Sequence, residues 1–89
     1  MVWRVEWSKG AERDLESLSS EVEKRIIDFI ENRVACLENP RDIGEALKGG
    51  KLGHLWKYRV GDYRVMVSIE DDIVKILVVA VGHRREIYR

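Results

Sequence analysis

Two stretches of the 89-residue chain concentrate groups suited to phosphate chemistry. In LWKYRVGDYRVMV, residues 55–67, Lys57, Arg59 and Arg64 stand among β-branched and aromatic residues. In the C-terminal VGHRREIYR, residues 81–89, an apolar run stops at Gly82 and His83, Arg84, Arg85, Tyr88 and Arg89 follow. Chain ends usually carry little, yet this one holds one of the two histidines. An imidazole can exchange protons near neutral pH, a guanidinium grips phosphate in bidentate fashion, and a tyrosine ring stacks on a base. Cutting RNA without a metal needs groups of this kind: a base for the ribose 2′-OH, cations for the phosphorane and an acid for the departing 5′-oxygen. Two histidines and Cys36, far apart along the chain, form no recognisable metal-ligand spacing. No cofactor is implied.

The hairpin sets the geometry of the first stretch. Gly61-Asp62 between two β-rich runs reads as a two-residue turn with glycine leading. Val60 then pairs with Tyr63, Arg59 with Arg64, and Lys57 with Met66. One face carries Trp56, Tyr58, Val60, Tyr63, Val65, Val67 and Ile69, and continues in a third strand through Val74, Ile76, Val78 and Ala80. That face is the core. The other carries Lys57, Arg59 and Arg64 beside Met66, Leu77 and Val79. Two arginines directly opposite each other repel, at about 0.2–1 kcal/mol. Any one of these cations alone would be an ordinary solvated side chain; the three together point to an anion that binds there. The third strand ends at Val81 beside the strand of Arg64, which predicts that the tail reaches the rim of the cationic face. Lys48, Lys51 and Arg85 are further candidates for RNA contacts, and His54 reads as structural or solvent-exposed.

The elements that must hold these groups are legible in outline. VWRVEW, residues 2–7, alternates as a first strand. Ser8 suits an N-cap, with Ala11, Leu15 and Leu18 following at helical spacing. Ser19 or Ser20 caps a longer helix whose face runs Val22, Ile26, Ile27, Phe29, Ile30, Val34 and Leu37 before Asn39-Pro40 ends it. Residues 41–54 hold Gly44, Gly49, Gly50 and Gly53 and read as a loop with one turn of helix near residues 43–48. Three strands close the chain, the last two joined at Asp71-Asp72. The expected fold is α+β: one domain over residues 1–89, two N-terminal helices on one face of a small antiparallel sheet, order β-α-α-β-β-β.

Composition is ordinary for a globular domain, with 45% hydrophobic and 36% charged residues. A single cysteine excludes an internal disulfide and fits a reducing cytoplasm; its place among apolar helix positions predicts a buried thiol. No segment approaches the roughly 18 apolar residues of a membrane span, and residues 1–7 read as a strand, not a signal peptide. Net charge is zero, but residues 1–45 carry −4 and residues 46–89 carry +4. That asymmetry suggests one face built for a polyanion and another for a different partner.

With these motifs, W-x-x-R-V-G-x-Y-R in residues 56–64 and G-H-R-R-x-x-Y in residues 82–88, the chain closely resembles the RelE/ParE superfamily of type II toxin–antitoxin toxins, most of all its RelE-type mRNA interferases. The resemblance covers nearly the whole chain, including the LKG loop at residues 47–49. It implies a ribosome-dependent endoribonuclease that cuts mRNA in the A site of the 70S ribosome, leaving a 2′,3′-cyclic phosphate and a 5′-hydroxyl. It also implies a cognate antitoxin that masks the basic face. The family's two basic residues, two apart on one strand, fall on Lys57 and Arg59; the arginine after the hairpin falls on Arg64, and the tail arginine and tyrosine on Arg84 and Tyr88. Where the family's best-studied branch has a second lysine this chain has Arg59, always protonated and a poor general base, while Lys57, crowded by two arginines, is one candidate for the base. Other members use a tail histidine with a glutamate from the loop before the hairpin; His83 and Glu45 stand at such positions, although Glu45, as a loop residue, reads first as a solvated side chain. The resemblance also admits a ParE-like inhibitor of DNA gyrase without catalysis, or a member that only pairs with its antitoxin.

Overall fold

The alternation of residues 55–60 and 63–70 becomes a hairpin at the heart of a five-stranded sheet in the computed structural model, which describes residues 2–47 and 54–85. In chain order the elements are β1 (Arg4–Trp7), α1 (Lys9–Glu16), α2 (Ser20–Asp28), β2 (Glu45–Ala46), β3 (Leu55–Val60), β4 (Tyr63–Glu70) and β5 (Lys75–His83). The sheet order is β1-β5-β4-β3-β2. The α+β class is as expected, but the sheet is mixed: β1 lies parallel to β5, with Arg4 opposite Lys75 and Trp7 opposite Val78. Among the described residues no helix is long and apolar enough to cross a membrane.

Each helix begins on a serine, as the sequence predicts. The Ser8 hydroxyl accepts from Ala11 N–H and the Ser19 hydroxyl from Val22 N–H, satisfying donors that a helix start leaves open. Beyond Asp28 the helical path widens to a π turn over Phe29–Arg33 and then tightens to a 3-10 turn over Val34–Cys36. These changes of pitch rotate the last turn. Val34 and Ala35 point into the core, while Cys36, expected to be buried, is exposed.

Ile26, Ile30 and Val34 from the helical layer meet Tyr58, Val65, Val67, Ile76 and Val78 from the sheet, all fully buried. Tyr58 donates its hydroxyl to the Pro40 carbonyl, tying the 3-10 turn Pro40–Ile43 to β3. Gly44 makes this approach feasible: a Cβ there would lie 2.9 Å from the Tyr58 ring. Burial pushes the Tyr58 phenol up to about 12 from its ordinary 10. The neutral form is therefore the one the fold holds. Its contribution is complete below pH 10 and drains away between pH 10 and 12, as the unfolded chain ionises first. Urea denaturation is expected to lose on the order of 2 kcal/mol across that window, and Tyr58→Phe to flatten the slope. An unchanged slope in the variant would assign the loss to other groups.

The two turns of the meander differ. Gly61 takes φ +61°, the positive value that a leading glycine supplies in a type II′ hairpin. The second connection is a 3-10 turn over Asp71–Ile73 closed by Val74 at φ 51°, so β5 starts at Lys75, not at Ile73.

Candidate functional site

The β3–β4 register is the expected one: Val60 pairs with Tyr63, Arg59 with Arg64 and Lys57 with Met66. Lys57, Arg59 and Arg64 therefore share one sheet face, opposite the core. The segment expected to be loop or a helical turn adds a short strand, β2, at the edge, where Glu45 pairs with Lys57. Glu45 Oε2 lies 3.6 Å from Lys57 Nζ, with the carboxylate more exposed than the ammonium. A proton acceptor thus stands among the cations.

Arg59 is exposed, whereas Arg64 keeps only 9% of its surface. Arg64 Nη1 donates to the carbonyls of Gly61, at 3.1 Å, and Tyr63, at 2.9 Å. These dipoles offset the repulsion from Arg59 and anchor the guanidinium over its own turn. Arg64 is a preorganised cation and a turn clamp at once, which differs from the loosely splayed pair that the sequence suggests.

The tail departs further from expectation. In β5, Val78 pairs with Val67 but Ala80 pairs with Met66, so Val79 is an extra residue in a β-bulge. A bulge shifts the alternation by one position. Ala80 moves to the Met66 face, Val81 enters the core, and His83, paired with Tyr63, turns to the helix side of the sheet. Its ring meets the Tyr63 ring edge-on at 5.6 Å. The bulge is fastened by α1 and its cap: Ser8 Oγ donates to the Val79 carbonyl (3.1 Å), Ser8 N–H to the Val78 carbonyl (3.0 Å), and Val81 N–H donates to Asp14 Oδ2 (2.9 Å).

Arg84 returns to the hairpin. Its N–H donates to the Asp62 carbonyl at 2.9 Å, and its Nε lies 4.0 Å from the Asp62 carboxylate. Arg85 is exposed and its N–H donates to His83 Nδ1 at 3.2 Å. Lys48, Lys51 and Tyr88 fall outside the described residues. The structure thus gathers Lys57, Arg59, Arg64 and Glu45 on one face, brings the Arg84 backbone to its hairpin end, and sets His83 on the other side. His54 is exposed in the turn just before β3. Sequence reasoning gave Asp62 no role beyond the turn, and the only hint of its partnership with Arg84 was opposite charge.

The chain matches the family model of the ParE toxin of type II toxin–antitoxin systems, parDE, over residues 5–88. Toxin RelE of Mycobacterium tuberculosis is 30% identical over 87 residues, spanning 98% of this chain and 87% of that protein. The fold is similar to that in the toxin–antitoxin complex RelBE2 of the same organism, with a TM-score of 0.85 at 23% identity over 97% of this chain and 95% of the other. The archaeal RelE–RelB complex from Pyrococcus horikoshii gives a TM-score of 0.75 at 27% identity, covering 97% and 99%. Matched from its first strand to its tail, the chain belongs to the ParE toxin family of type II toxin–antitoxin systems, within the RelE/ParE superfamily.

Proposed function

We propose that this toxin is an endoribonuclease that cuts mRNA in the ribosomal A site, and that a cognate antitoxin restrains it. The observation that carries the reading is the Glu45–Lys57 pair, 3.6 Å apart, on the face of Arg59 and Arg64. In this scheme Glu45 takes the proton of the ribose 2′-OH, and Lys57, 3.6 Å from its carboxylate, stands ready to meet the reacting phosphate. The 2′-oxygen bonds to phosphorus, the bond to the 5′-oxygen breaks, and Arg59 and Arg64 stabilise the added charge of the phosphorane. Arg84, tied to the hairpin end, meets the departing 5′-oxygen. A guanidinium supplies charge and hydrogen bonds there but yields a proton poorly, so the scheme leans on the base. His83 lies on the opposite side of the sheet and has no part in this step. The departing 5′-oxygen takes its proton from water, and the products are a 2′,3′-cyclic phosphate and a 5′-hydroxyl.

The antitoxin part of the reading is supported by the relatives from M. tuberculosis and P. horikoshii, both solved as toxin–antitoxin complexes. The ribosome part is supported by zero net charge, which gives weak long-range attraction to naked RNA. A second reading, a ParE-like inhibitor of DNA gyrase without catalysis, is favoured by the matching family model and by the turn-clamping role of Arg64. Mapping mRNA 5′ ends after brief induction separates the two. The nuclease reading expects codon-phased cuts on translated messages, and purified toxin that cuts RNA far better on ribosomes than free. Intact messages accompanied by DNA damage would replace it with the gyrase reading.

A further inference from the structure

Behind the hairpin, on the helix side of the sheet, lies a cavity of about 590 Å3, a size in the range of small-ligand sites. Tyr63 and His83 form one wall, Asp14 and Ser17 of the helical layer another, and Gly82, with no side chain, leaves the strand backbone open between them. The two rings stand nearly perpendicular, at 86°, so a flat guest can lie against one and meet the edge of the other. Asp14 is held in place because its Oδ2 accepts from Val81 N–H, which leaves Oδ1 as a fixed acceptor. Among the described residues neither lysine nor arginine lines the cavity, so none of those lining it matches a phosphate.

We infer that this cavity is a nucleobase site, selective for guanine, for an unpaired nucleotide near the cut. The inference rests on the nuclease reading. Gly82 pairs with Arg64, so the cavity and the cationic face lie back to back at the hairpin end of the sheet. A single strand bending around the Gly61-Asp62 turn reaches both. Stacking on an aromatic ring accepts any base; the carboxylate supplies the choice. Asp14 offers only acceptors, and guanine is the base whose Watson–Crick edge presents two adjacent donors, N1–H and the N2 amino group. Uracil presents mainly carbonyls there and would meet the carboxylate with its lone pairs.

The test has a binding arm and a cleavage arm. The purified toxin is titrated with the four nucleoside 5′-monophosphates while the His83 ring protons and the Val81 amide are followed by NMR. Guanosine monophosphate is expected to move both signals and to bind roughly 10- to 100-fold more tightly than uridine monophosphate, the discrimination typical of a good two-bond base contact. In Asp14→Asn the amide oxygen can still accept from Val81 N–H, so the bulge is kept. The guanine preference should nevertheless vanish and shift toward uracil. On ribosomes the same variant should still cut, with guanine no longer enriched at a fixed position beside the cut. Absence of any His83 response to the four nucleotides, or an Asp14→Asn protein with unchanged base preference, would overturn the site. Should the wild type cut messages without a His83 response, the site falls and the nuclease reading stands. Should it bind guanosine monophosphate at His83 but leave messages intact, the site stands and the nuclease reading falls.

Discussion

Glu45→Gln is expected to slow mRNA cleavage by about 10²- to 10⁴-fold, the usual range for a positioned general base, with the melting temperature unchanged. Glutamine keeps the size and the acceptor oxygen of the side chain, so β2 stays paired with β3, but it cannot take a proton at neutral pH. The ion pair that disappears is exposed on the Glu45 side, and pairs of that kind contribute about 0–1 kcal/mol. The measurement is single-turnover cleavage on programmed ribosomes beside a thermal melt. A variant that cuts within a few-fold of wild type would remove Glu45 from the reaction and leave Lys57 as the base.

The two arginines across the hairpin should separate. Arg59→Ala removes an exposed cation that faces another cation, so stability should hold or rise by up to about 1 kcal/mol. Arg64→Ala removes the donor shared by the Gly61 and Tyr63 carbonyls, and stability should fall by about 1–2 kcal/mol. Both should lose about 100- to 1,000-fold in cleavage rate, the typical cost of one preorganised donor at a developing oxyanion. Urea titration with the cleavage assay reads the pair. Equal stability of the two variants would mean that the Arg64 hydrogen bonds contribute nothing to the turn. Full activity of either would take that residue out of the anion site.

The contrast between these two positions shows what could and could not be read in the chain. The Arg59–Arg64 pairing followed from a two-residue turn and strict alternation on both sides, a pattern that fixes register and face together. The same pattern says nothing about where a long side chain folds back, so the carbonyl anchoring of Arg64 was invisible. Glu45 was weakly legible because a two-residue strand is too short to show periodicity. The parallel docking of β1 left no mark on its four residues, since any edge partner would satisfy the same alternation. Cys36 was misplaced because the helical face was extended at 3.6 residues per turn through a segment whose pitch changes twice. The apolar run Val78-Val79-Ala80-Val81 fits either face equally well, so the bulge inside it could not be located.

That bulge gives the last strand two reading frames. Up to Val78 even-numbered residues face the helices, and from Ala80 onward odd-numbered residues do. The frame change is welded to the start of the chain by Ser8 and Asp14, 71 and 67 positions away in sequence from the residues they hold and in direct contact in space. Aligning this strand without a gap against a relative that lacks the extra residue would match each tail side chain to a counterpart on the opposite side of the sheet. A histidine at the same column in two such chains would share a letter but not a location, and transferring a role from one to the other requires first asking on which side of Val79 the parity was counted.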